Sequence, residues 1–343
     1  MSAGVILVEK MNIERKLELI KRSPTEEILT EDELKRLLEE KKNPQHYIGF
    51  EISGLLHLGS LFLTGYKIRD FLKAGFKCCV FLADWHTFIN RKVGGNWERI
   101  RKGAEYFKEA FRVFLGKHKR LEFVLGSELY HNNDEYWMNV ARIARSVTLK
   151  RMLRCLTIMG RKQTERLDAA QLIYPSMQAA DIIALKVDVA HAGTDQRKVH
   201  VLLREVANKL GFKKPIAVHT HLLPGLAEPE RAGYDENPEL DLKISSKMSK
   251  SKPWTCIFIH DEKEEIERKL RKAWCPEGEV KNNPVLEIVK YIIFRERKKF
   301  KVEREIRFGG DVTFESYEEV EDAFRKNELT LQASTRTLAM GVA

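Results

Sequence analysis

A chain of 343 residues, 43% hydrophobic and 32% charged, has enough apolar mass for about two domains. It has no run near the ~20 apolar residues of a membrane-spanning helix, which excludes an embedded protein. Its 60 lysines and arginines exceed 50 acidic residues, a net charge of +10 that fits a polyanionic partner, nucleic acid first. The five cysteines, at 78, 79, 155, 256 and 275, are odd in number and lack CxxC spacing. They support neither a disulfide framework nor a zinc site and fit a reducing, cytoplasmic setting.

The leading MSAGVILVEK has too short an apolar run for a secretory signal and is read as either a dispensable extension or a misassigned start ahead of Met11. MNIERKLELI then reads as a helix, within an N-terminal helical segment covering 1–45. HYIGFEI (46–52), CCVFLAD (78–84), LEFVLGS (121–127), VDVAHAG (187–193) and IAVHTHLL (216–223) have strand length and are apolar on both faces, the pattern of strands buried in a parallel sheet. Helical patterns over 59–75, 97–116, 135–159 and 196–211 lie between them. Strand and helix in alternation predict an α/β, doubly wound, Rossmann-like domain over 46–260, with a helical insertion at about 97–170. After Pro253 come helical patterns at 261–275, 284–294 and 316–329 without intervening buried strands. These predict a smaller, mostly helical C-terminal domain over 261–343. Between Lys290 and Arg307 eight basic residues stand against three acidic ones, either a solvated helix face or a polyanion contact.

Three stretches carry chemistry. In FEISGLLHLGS (50–60), Gly54 and Gly59 flank His57 at a strand-to-helix turn, where a ligand can approach the backbone and the free N–H groups of the helix attract an anion. In KISSKMSKSKPWT (243–255), lysines and serines crowd a segment that is either a linker or a mobile anion-binding loop. HLGS after the first strand paired with KMSKS (247–251) after the last resembles the two signatures of class I aminoacyl-tRNA synthetases. On that resemblance the lysines hold ATP phosphates while charge builds on oxygen. In LIYPSMQAADIIAL (172–185), Tyr174, Gln178 and Asp181 share one helix face at i, i+4 and i+7. A buried aspartate asks for a donor, which a substrate phenol would supply. Tyr47 adds a second contact to that hydroxyl, and Gln178 with Gln196 holds the α-ammonium. Such a site rejects phenylalanine by roughly 10⁴–10⁵, because its polar groups would be left unpaired.

YIGFEISG, FLADWH, YPSMQAAD, HAGTDQRKVH and FGGDVTFESYEE resemble, from about residue 11 to 329, the tyrosyl-tRNA synthetases of the archaeal and eukaryotic-cytoplasmic type. The resemblance implies activation of L-tyrosine by ATP, with Mg²⁺ travelling on the nucleotide, and transfer of tyrosine to the 3′ end of tRNA(Tyr). It implies tyrosine contacts at Tyr47, Tyr174, Gln178, Asp181 and Gln196. The ATP contacts it implies are Gly49, Glu51, His57, Gly59, His200 and Lys250, and the catalytic set is His57, Ser60, Lys247 and Lys250. It further implies a homodimer paired through the 135–159 region, and stacking of Phe308 on the first anticodon base.

Two departures stand out. Ser60 replaces the second histidine of the usual HxGH; its hydroxyl can donate to phosphate but carries no charge. After KNEL the resemblance implies HPxDLK and further helix, whereas this chain reads TLQASTRTLAMGVA, with Ala333 in place of the aspartate. The C-terminal domain is therefore expected to be shortened and to read the first anticodon base weakly. The rivals are a tryptophanyl-tRNA synthetase, whose indole N–H is also a donor for Asp181, and a synthetase-like RNA-binding protein without ligation.

Overall fold

The computed structural model describes residues 12–161, 165–304, 306 and 309–329. Its six-stranded sheet comprises β1 (Thr25–Leu29), β2 (Gln45–Phe50), β3 (Lys77–Leu82), β4 (Leu121–Leu125), β5 (Val189–Gly193) and β6 (Ile216–Thr220), in the order β1-β6-β5-β2-β3-β4. All neighbours are parallel except β1, which runs antiparallel along the β6 edge. The five strands expected from the sequence are present.

Alternation along the strands divides two cores. Ile48, Val80, Val189 and Val218 point to one face, where helices Ile13–Lys21, Thr64–Lys73 and Trp97–Leu115 cover them. Tyr47, Cys79, Phe81 and Ala190 point to the other, under helices Asp134–Arg145, Tyr174–Ala184 and Arg197–Leu210. Each large side chain removed from water in this way contributes about 1.5–3 kcal/mol. Trp97–Leu115 is typical of the helices: Asn96 caps it by accepting from Arg99 N–H, and Ile100, Ala104, Phe107 and Phe111 form its buried stripe. Gly116, at φ 74°, ends it.

The structure corrects several expectations. The N-terminal segment is not wholly helical, because β1 closes the sheet edge. TEEIL reads as a polar stretch, yet Glu26 and Glu27 point to partners, Glu27 to His219 and Arg197, Glu26 to His221 and Lys243. The long helix over 135–159 is broken: Asp134–Arg145 stops at Ser146, and Thr148 caps a second helix, Leu149–Cys155. The β-branched Val147 and Thr148 and the Ser146 hydroxyl, which donates to the Arg142 carbonyl, favour that break.

The C-terminal part is not strand-free. β7 (Phe300–Val302) and β8 (Val312–Phe314) form an antiparallel hairpin with Phe300, Val302 and Phe314 turned inward. Much of the basic stretch is spent on internal pairs: Arg295 on Asp70, Lys299 on Glu315 and Lys301 on Asp311. The C-terminal core of Leu270, Leu286, Val289 and Val320 is continuous with Leu58, Leu63 and Met248, so it packs directly behind both signature segments. No helix among the described residues is long and apolar enough to cross a membrane.

Candidate active site

From β2 the chain winds outward through β3 to β4. It then returns to place β5 on the other side of β2 and winds outward again to β6. Ligands of such sheets bind where the winding reverses, beyond the carboxyl ends of the central strands. A cleft of about 890 Å³ opens there, and every expected site residue lines it except His200 and Phe308. His200 does not line the cleft: it is buried, with its Nδ1 3.0 Å from His219 Nε2 and its Nε2 without a partner. Phe308, like Ala333, lies outside the described residues.

At the deep end, helix Tyr174–Ala184 begins with Pro175 and turns Tyr174, Gln178 and Asp181 into the cleft. Asp181 is fully buried, and burial pushes its carboxyl well above the usual range, against the hydroxyls of Tyr130 and Tyr136. Both phenols donate to Oδ1, at 2.9 and 3.0 Å. Oδ2 has no partner and lies 3.6 Å from His86 Nε2, itself unpartnered. Burial pushes His86 down to about 3, so its ring is neutral. Gly49 was expected at the nucleotide; a Cβ there would sit 2.4 Å from the Tyr47 phenol oxygen, so its glycine leaves room for that hydroxyl. Toward the middle of the cleft, Glu51 Oε1 accepts from Tyr174 Oη and from Asn90 Nδ2, both at 2.8 Å, and burial raises the Glu51 pKa. Gln178 Nε2 donates to Gln196 Oε1 at 3.2 Å, leaving Gln178 Oε1 unpartnered.

At the mouth, Leu58 N–H donates to Ile257 O and Ile259 N–H to Leu56 O, so the first signature is tied by a short ladder to the chain that follows the second. Gly59 permits a close turn: a Cβ there would meet the His57 ring at 3.3 Å. The chain continues as a π turn, Gly59–Leu63, into helix Thr64–Lys73. Burial, then the ammonium groups of Lys250 and Lys247, hold His57 down to about 3. Its Nδ1 accepts from Ser60 N–H at 3.3 Å, which leaves the proton of the neutral ring on Nε2. The Ser60 hydroxyl is turned to backbone, accepting from His57 N–H (2.9 Å) and donating to His57 O (3.1 Å).

The KMSKS segment is pinned by Met248, whose side chain enters the C-terminal core and whose N–H donates to Leu223 O. Lys247 Nζ donates to Asp195 Oδ2 at 2.6 Å; burial opposes its charge, but Asp195, with Glu51 beyond it, more than compensates and raises its pKa. Lys250 Nζ donates to Ser53 Oγ at 3.0 Å and lies 4.9 Å from the Phe107 ring centroid, and burial lowers its pKa to about 8. The sequence reading missed Tyr130, Tyr136, His86 and Asp195. His86 and Asp195 stood inside quoted motifs, whereas nothing in local spacing marked the two tyrosines.

The class I tRNA synthetase family for W and Y matches residues 39–340. A tyrosine–tRNA ligase of Thermococcus sibiricus is 52% identical over 335 residues, covering 93% of this chain and 89% of its own length. The structure of a tyrosyl-tRNA synthetase complexed with L-tyrosine from Pyrococcus horikoshii superposes with a TM-score of 0.89 at 48% identity, over 97% of this chain and 94% of that one. A tryptophanyl-tRNA synthetase from Aeropyrum pernix K1 shares only the fold, with a TM-score of 0.66 at 20% identity, over 91% of this chain and 78% of that one. Matched along most of its length, the chain belongs to the class I tryptophanyl- and tyrosyl-tRNA synthetase family.

Proposed function

We propose that this chain activates L-tyrosine with ATP, giving tyrosyl-adenylate and pyrophosphate, and then transfers tyrosine to the 3′ end of tRNA(Tyr). The observation that carries the choice of amino acid is the unpartnered Oδ2 of Asp181 at the base of a cleft that also holds the Tyr47 phenol. A substrate hydroxyl donates to that oxygen, while Tyr174, Gln178 and Gln196 receive the α-ammonium end. The tyrosine carboxylate attacks the α-phosphorus and pyrophosphate leaves, so no covalent bond to the enzyme is needed. Catalysis is then positioning together with stabilisation of charge on the phosphate oxygens. The neutral His57 donates through Nε2, and Lys247 and Lys250 supply cations; Mg²⁺ arrives with ATP as part of the substrate.

The same reading divides the chain into an N-terminal segment, a catalytic domain to about residue 260 and a C-terminal tRNA-facing domain, acting in the cytoplasm as a homodimer. Large apolar side chains at the surface of helix Asp134–Arg145 and of helix Asp84–Ile89 support the dimer: Met138 is 62% and Phe88 50% exposed, and the Trp137 ring lies 5.5 Å from that of Trp85, tilted by 55°. Sedimentation at low protein concentration tests it, and a monomer sinks it. Pyrophosphate exchange across the twenty amino acids tests the activity. Exchange dependent on tyrosine is expected; exchange dependent on tryptophan, or none with tRNA binding kept, overturns the assignment.

A further inference from the structure

The two tyrosines that fill one oxygen of Asp181 are built with care. Tyr130 ends the short helix Gly126–Tyr130 that follows β4. Asp84 staples the start of that helix, accepting from Ser127 N–H at 2.9 Å and from Ser127 Oγ–H at 2.6 Å. Gly126 permits the approach, since a Cβ there would stand 2.8 Å from Asp84 Oδ1 and 3.1 Å from the Tyr130 ring. Tyr136 comes from helix Asp134–Arg145, which Asn133 caps. The two rings stack at 4.4 Å and 25°, and their hydroxyls converge on the same atom.

We propose that Tyr130 and Tyr136 are positioning residues for amino-acid selection. By occupying Oδ1 of Asp181 they leave Oδ2 as the one acceptor offered to a substrate hydroxyl, and their donation favours the accepting form of the carboxyl. This rests on the reading of Asp181 as the phenol contact. The groups that face Asp181 are Tyr47 from β2, Cys79 from β3, Asp84 and His86 from the following helix, and Tyr174 on its own helix. None brings a positive charge: His86 is neutral and Asp84 disfavours a second anion. The two hydroxyls are therefore what opposes burial, and each one removed leaves burial less opposed. Phenylalanine would leave the buried Oδ2 without a donor; that penalty is larger for the ionised carboxylate, which the two hydroxyls favour, than for the carboxylic acid, which burial favours.

Tyr130→Phe and Tyr136→Phe keep the rings and remove only the donors. In pyrophosphate exchange from pH 5.5 to 8.5, each is expected to lower the tyrosine-to-phenylalanine ratio of kcat/KM about tenfold, chiefly through KM for tyrosine. The acid limb of the tyrosine profile is expected to move up, because burial is then opposed by one hydroxyl instead of two. Asp181→Asn is run beside them, with thermal melts of all three. If Asp181→Asn collapses the ratio while both phenylalanine variants keep ratio and acid limb, the positioning role is overturned and the reading of Asp181 stands. If Asp181→Asn itself leaves the ratio intact, both fall. Lower melting temperatures with ratio and limb unchanged would make the tyrosines structural.

Discussion

At the deep end of the cleft Asp181, His86 and Tyr136 are at most 1% exposed, and the carboxylate is met by neutral hydroxyls. At the mouth Lys247 and Lys250 are half-buried, held by Asp195 and by Ser53, and Ser251 to Trp254 stand in solvent. Both ends hold a histidine pushed down to about 3, but for different reasons: His86 by burial alone, His57 by burial and two neighbouring cations. The contrast separates two tasks. Selection needs a place where an unpaired group is costly, hence dry; phosphate chemistry needs cations that can be re-aimed when the nucleotide arrives, hence a loop anchored at one buried methionine.

The comparison breaks most visibly at Asp181. Asp181→Ala is expected to weaken tyrosine activation by ~2–4 kcal/mol while phenylalanine suffers far less, because only tyrosine loses an acceptor. Pyrophosphate exchange with each amino acid checks it, and equal losses would make Asp181 structural. At the other end, Lys250→Ala is expected to lower the rate at saturating tyrosine by about 2–3 kcal/mol with little change in tyrosine affinity. Unchanged turnover would return the segment to a plain linker.

A smaller effect sharpens the same contrast. Burial holds Lys250 at about 8, below its ordinary value, so its charge is lost as pH rises through 8. kcat/KM for ATP, which reports the free enzyme, should fall about tenfold per unit above that pH, and affinity for tyrosine should not follow it. Lys250→Arg, charged throughout, should abolish the limb; a limb that persists in the arginine variant belongs to another group.

The sequence carried the central sheet because five apolar runs alternate with helical patterns, and a helix face carried Tyr174, Gln178 and Asp181 because their spacing is local. What escaped was tertiary. β1 is legible only once Glu26 and Glu27 find His221, His219, Lys243 and Arg197, residues remote in the chain. Tyr130 and Tyr136 lie 51 and 45 residues from the carboxylate they serve, and nothing in GSELYHNNDEYW itself marks its two tyrosines. Gly49 came as a nucleotide contact from the resemblance, and local pattern did not show that the Tyr47 phenol also needs the space beside it. Asp181 was rightly seen to require a donor, but local pattern could not count how many the fold already provides.

The smallest effect is expected at Ser60, where the sequence pointed to a phosphate donor standing in for a histidine. Its hydroxyl instead accepts His57 N–H and donates to His57 O, while its own N–H fixes the His57 tautomer. Ser60→Ala keeps the backbone donor, and so keeps Nε2 of His57 protonated. It removes only the hydroxyl bonds within a half-buried turn, a loss of ~0.5–1.5 kcal/mol in stability. Because the tautomer survives, adenylate formation should fall by less than about tenfold, with KM for ATP near its original value. Thermal melts and pyrophosphate exchange on the same preparation separate the two effects. A loss of about a hundredfold or more in rate without a matching drop in stability would mean that the hydroxyl leaves the turn to meet phosphate, and that the mouth of the cleft rearranges when ATP binds.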